Sequence, residues 1–130
     1  MMLYKMHDGY GSMIEVDSEA KFNRLLVLPK AIVYVQVNWS DPEKVSRQIV
    51  SKVLTEIGSF KTPVFKIDSS DPNLPFIDTW LINQRQVVNG FNYGGWGETL
   101  LIENGNITAF IGPAKSGFEK TKEIINSWDR

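Results

Sequence analysis

The sequence predicts an α/β domain, a three-layer α/β/α sandwich around a mixed central sheet. Three observations carry that expectation. Ala31-Ile32-Val33-Tyr34-Val35-Gln36-Val37-Asn38 is rich in β-branched residues and apolar on both faces, the mark of a central strand covered from both sides. Between Pro42 and Ile57 the apolar residues recur at helical spacing, so a helix follows that strand directly. Near the C-terminus, Asn104-Gly105 separates two β-prone runs, the strongest short hairpin signal available.

The remaining elements fit around these. Ser12 to Val16 reads as a short first strand, and Asp17 or Ser18 caps a helix in which Phe22, Leu25 and Leu26 share a face. Pro29 closes it. In the helix from Pro42 the stripe is Val45, Ile49, Val50, Val53, Leu54 and Ile57, and Gly58 supplies the stop. Pro63-Val64-Phe65-Lys66-Ile67-Asp68 is a further strand. Asp71-Pro72 then reads as a cap and first helical position of a third helix, with Phe76, Ile77, Trp80 and Leu81 facing inward and an end near Gln84. Gly90 to Gly97 is a loop of four glycines and three aromatic rings without periodicity. Thr99 to Glu103 and Asn106 to Gly112 form the hairpin, and a last helix runs from about Gly117 to Trp128, packing through Phe118, Ile124, Ile125 and Trp128.

Composition narrows the function classes. With 130 residues, 42% hydrophobic and 12% aromatic, the chain suits one domain with its own core. Lys and Arg (14) nearly balance Asp and Glu (15) without blocks of either sign, which disfavours nucleic acid and anionic membrane as partners. No stretch approaches the roughly 20 apolar residues of a membrane-spanning helix, and the N-terminal residues lack a signal-peptide core. A cytoplasmic location is the default expectation, since an absence of cysteine fits either redox compartment.

Trp39-Ser40-Asp41-Pro42-Glu43-Lys44, placed between the central strand and the long helix, resembles the Trp-Cys-Gly-Pro-Cys-Lys motif of the thioredoxin family. The element order agrees, the resemblance spans about Val16 to Trp128, and the hairpin around Asn104-Gly105 with Ile111-Gly112 after it resembles the family's ending. The resemblance implies a thioredoxin-like fold without the family's chemistry. Disulfide exchange needs a thiolate, and Ser40 and Glu43 stand where the two cysteines would be. The family's buried Asp and its Lys companion correspond to Tyr34 and Val64. Its cis-proline corresponds to Glu98, before Thr99, where a trans peptide is expected because a non-proline cis bond costs roughly 3 kcal/mol. The interval between Asp68 and Glu98 exceeds the family's, the surplus being the Trp80 helix and the aromatic loop, together about residues 70–97.

Other readings of these residues are structural. Ser40-x-x-Glu43 has capping-box spacing, with the Ser side chain accepting from the third helical N–H and the Glu reaching back to the cap N–H; Ser116-x-x-Glu119 repeats it. Ser40 as a nucleophile needs a base, and the one histidine, His7, lies in the N-terminal tail. An anion such as glutathione at the helix N-terminus is opposed by Glu43, which already compensates the dipole. Asp68, Asp71 and Asp78 do not match a calcium loop, so no metal or cofactor is implied. What remains is a redox-inactive module that binds a protein or peptide non-covalently on the former active-site face. Trp39, Phe91, Tyr93 and Trp96 would supply apolar contacts there, and Ser40, Asp41, Glu43 and Glu98 polarity. The alternatives are inward packing of those rings, a structural homodimer through the same surface, or a small-molecule or glutathione enzyme at Ser40.

Overall fold

A computed structural model describes residues 4–5, 13–87, 97–112 and 117–129. Seven strands and four helices occur among them in the order β1 (Tyr4–Lys5), β2 (Ile14–Glu15), α1 (Glu19–Leu26), β3 (Lys30–Gln36), α2 (Asp41–Ile57), β4 (Ser59–Phe60), β5 (Val64–Asp68), α3 (Pro75–Val87), β6 (Thr99–Glu103), β7 (Asn106–Ile111) and α4 (Gly117–Asp129). Five strands make a mixed sheet of order β2-β5-β3-β6-β7, with β3 parallel to β5 on one side and antiparallel to β6 on the other. The two-residue strands β1 and β4 pair separately, an addition that no periodicity announced.

Alternation along β3 builds two cores. Ala31, Val33 and Val35 face one side with Phe65, Ile67, Leu100 and Ile102, under Phe22 and Leu25 of α1 and Ile77 and Leu81 of α3. Ile32 and Tyr34 face the other side with Val64 and Leu101, under Val50, Val53 and Leu54 of α2 and Ile125 of α4. The strands read as apolar throughout because helices cover both faces. Two of the helix starts are capped by serine. Ser18 caps α1 by accepting from Lys21 N–H at 3.2 Å, and Ser40 caps α2 by accepting from Glu43 N–H at 3.2 Å. Gly58 closes α2, and Asn104 and Gly105, both at positive φ (51° and 82°), turn β6 into β7.

Two expectations change. Helix α3 begins at Pro75 rather than Pro72, because the Asp71 carboxylate accepts from Asn73 N–H at 2.9 Å and holds residues 71–74 as a turn; the helix then runs on to Val87. In α2, Val45 is 60% exposed, and Glu43 and Ser46 take the sheet-facing positions instead. Among the described residues, no helix is long and apolar enough to cross a membrane.

Candidate functional site

The β3–α2 junction brings together the residues that the motif singled out. Tyr34, in the middle of β3 and fully buried, points at the first turn of α2 and donates its hydroxyl proton to Glu43 Oε2 at 2.6 Å. Glu43 is itself 0% exposed. Its carboxylate accepts three further hydrogen bonds: Val37 N–H to Oε1 at 3.1 Å, Arg47 Nε–H to Oε2 at 2.9 Å, and Arg47 Nη2–H to Oε1 at 2.7 Å. The guanidinium lies one turn along α2 and grips both oxygens, the fork geometry in which arginine binds carboxylates best. A buried carboxylate is tolerated only when paired and hydrogen-bonded, and here four donors satisfy it.

The same region docks the start of β6. Ser46 Oγ donates to the Gly97 carbonyl at 2.7 Å, and Val35 N–H donates to the Glu98 carbonyl at 3.0 Å. Gly97 has φ +86°, and a Cβ there would stand 2.8 Å from both Ser46 Cβ and Tyr34 Oη. The peptide bonds of this segment are trans. Glu98 is 3% exposed.

These positions correct the expected contact surface. Ser40 is buried with its oxygen engaged as a cap, and Glu43 and Glu98 are turned inward, so none of the three offers polarity to a docked partner. Only half of the capping box forms. Ser40 accepts from Glu43 N–H as the spacing predicts, but the carboxylate reaches Val37, Tyr34 and Arg47 rather than Ser40 N–H, which bonds to the Val37 carbonyl. Trp39 and Asp41 do reach the surface, Trp39 at 71% exposure and Asp41 with its side chain almost wholly in solvent, 3.5 Å from Lys44 Nζ. Phe91, Tyr93 and Trp96 lie outside the described residues, as do His7 and Ser116. The role of Arg47 and the inward turn of Ser46 escaped the sequence reading, although both lie at helical spacing from Val50 and Glu43.

Trp39 borders an open cleft of 510 Å³ whose other walls include Ser69, Asp71, Leu74, Pro75 and Asp78. Hydrogen bonds tie its two sides together. Asn38 N–H donates to Ser70 Oγ at 3.1 Å, Asn38 Nδ2 donates to Asp68 Oδ2 at 3.2 Å, and Ser70 Oγ donates to Asp68 Oδ1 at 2.6 Å. The loop after β3 and the loop after β5 thus form one braced rim.

No family model matches the chain, and no curated protein matches it by sequence. Solved structures do match. Thioredoxin O1 from Arabidopsis thaliana in its oxidized state is 12% identical at a TM-score of 0.63, covering 91% of this chain and 98% of that one. The chain has the thioredoxin fold. Mitochondrial thioredoxin 3 from Saccharomyces cerevisiae agrees over 92% of this chain and 98% of its own, at 16% identity and a TM-score of 0.57. Thioredoxin from Trypanosoma brucei brucei covers 94% and 98%, at 16% identity and 0.54. Such identities speak to the thioredoxin fold alone. Within that fold, the positions that resemble the two cysteines hold a cap hydroxyl and a saturated carboxylate, and the chain contains no cysteine at all. It has no thiol to exchange. The Ser40 oxygen is buried and accepts from the Glu43 backbone N–H as a helix cap.

Proposed function

We propose that this chain is a redox-inactive thioredoxin-fold protein that binds an extended segment of another protein, non-covalently, in the cleft beside Trp39. The observation that carries the reading is the exposed indole. A tryptophan left 71% in water beside a braced cleft is a large apolar surface with nothing packed over it among the described residues, and tryptophan is a favoured interface anchor. Buried chemistry beneath it supports the reading. Tyr34, Glu43 and Arg47 hold the motif rigid, which lowers the ordering cost of binding. The contact residues are Trp39 and Asp41, with Phe91, Tyr93 and Trp96 as further candidates; Ser40, Glu43 and Glu98 serve as framework.

An anion or glutathione site at the α2 N-terminus is less favoured, because Ser40 already caps the helix and a carboxylate lies under its first turn. Panning a random peptide library against the wild type and against Trp39→Ala tests the proposal. Enriched sequences that bind the wild type at micromolar affinity and lose at least tenfold with Trp39→Ala support it. Absence of enrichment, or peptides indifferent to Trp39, sinks it. Sedimentation of the same two proteins addresses the homodimer alternative, which requires a dimer that Trp39→Ala weakens.

A further inference from the structure

A second cleft lies at the opposite end of the sheet. It adjoins Pro63, just before β5 starts, whereas Trp39 stands near Ser69, just after β5 ends. Its volume is 280 Å³, and Ile14, Lys21, Arg24, Leu28, Pro63 and Phe65 line it. The floor is apolar. Ile14 and Phe65 are register partners in the parallel β2–β5 pair, so their side chains share a face, and Ile14 is left 41% exposed. Glu15 points to the other face, toward Lys66.

The rim is cationic. Lys21 and Arg24 are one turn apart on α1, both overhanging the apolar floor. Lys21 Nζ lies 3.0 Å from Asp17 Oδ1, and this hydrogen bond holds the Asp17 carboxyl below its ordinary range. Arg24 is exposed, and its guanidinium has no carboxylate partner among the described residues. Among the described residues, the cleft therefore combines an apolar pocket with one positive charge that no carboxylate pairs.

We propose that this cleft is a binding site for an apolar monocarboxylate of the medium-chain fatty acid class. The tail lies against Ile14, Leu28 and Phe65, and the carboxylate meets the Arg24 guanidinium, which suits that planar anion. The Arg24 guanidinium, the one unpaired cation among the described lining residues, matches one carboxylate better than a phosphomonoester, which carries nearly two charges. The volume sits near the lower bound of small-ligand sites, about 300 Å³, so a short tail fits where a folded partner's surface does not. The inference is independent of the Trp39 reading.

Decanoate is the probe, titrated by calorimetry and by methyl NMR, with decanol as the uncharged control. Saturable one-to-one binding is expected, with shifts at the Ile14 and Leu28 methyls and at least tenfold weaker binding of decanol. Arg24→Gln keeps a good helix former at the position; it should weaken decanoate at least tenfold and leave decanol unchanged. Ile14→Glu, which puts a like charge into the floor, should abolish decanoate binding, and Trp39→Ala should not alter it. Shifts that do not saturate, shifts that map elsewhere, or equal decanoate affinity in Arg24→Gln would each overturn the proposal.

Discussion

Tyr34 Oη and Glu43 Oε2 meet at 2.6 Å with both side chains fully buried, joining the middle of β3 to the first turn of α2. Where the thioredoxin resemblance places an Asp and a cysteine, this chain has a phenol and a carboxylate bonded to each other. The position that resembles the family's second cysteine holds a fastening, and its energetics are open to measurement.

Removing the phenol proton is the mildest test. Tyr34→Phe keeps the ring and leaves three donors on the carboxylate, so it should destabilise by about 1.5–3 kcal/mol, the range for hydrogen bonds to charged groups. Chemical denaturation reads this directly. An unchanged midpoint would mean that the contact is energetically idle.

Breaking the ion pair should cost more than replacing it. Arg47→Met leaves the Glu43 carboxylate buried without its cation, for which a loss of up to about 3–5 kcal/mol is expected, reduced because Arg47 itself is 27% exposed. Glu43→Gln with Arg47→Met removes both charges while the amide oxygen can still accept from the Tyr34 hydroxyl, and should recover part of that loss. A double-mutant cycle showing simple additivity would contradict the coupling drawn from the geometry.

Much of the fold was legible because its signals are local. Strand β3 reads apolar on two faces, and the positive φ of Asn104 and Gly105 is what an Asn-Gly hairpin requires. The centre of the site was misread for an equally physical reason. Hydrophobic periodicity assigns Glu and Ser outward, so Val45 was placed on the inner stripe, when Glu43 and Ser46 continue the buried face of Val50 and Val53 toward the N-terminus. The available clue was a tyrosine inside a strand covered on both faces, since a buried phenol needs a partner, with Arg47 four residues after the Glu. Asp71 reads as a helix cap from its Pro72 neighbour, but its carboxylate closes a turn on Asn73 N–H and the helix starts at Pro75.

Exposure of Trp39 makes a further claim. Trp39→Ala should change stability by no more than about 0.5 kcal/mol, as expected for a surface site, while removing a red-shifted, quencher-accessible part of the tryptophan emission. A larger loss of stability would show that the indole is packed in the folded protein, and the binding reading would lose its anchor.

Gly97 is where backbone and site constrain each other most tightly. Its φ of +86° disfavours any side chain, and an added Cβ would stand 2.8 Å from Ser46 Cβ and from the Tyr34 hydroxyl that bonds Glu43. Relief requires β6 to shift away from α2, which also lengthens the 2.7 Å bond from Ser46 Oγ to the Gly97 carbonyl. Gly97→Ala should therefore lose more than the roughly 1–2 kcal/mol of left-handed backbone strain alone. Gly112→Ala is the matched control, since nothing lies within 4 Å of its added Cβ and its change should stay within about 0.5 kcal/mol. Combining Gly97→Ala with Ser46→Gly separates the causes. Partial recovery in the double variant assigns the loss to crowding against α2, and no recovery assigns it to the backbone or to the Tyr34 contact.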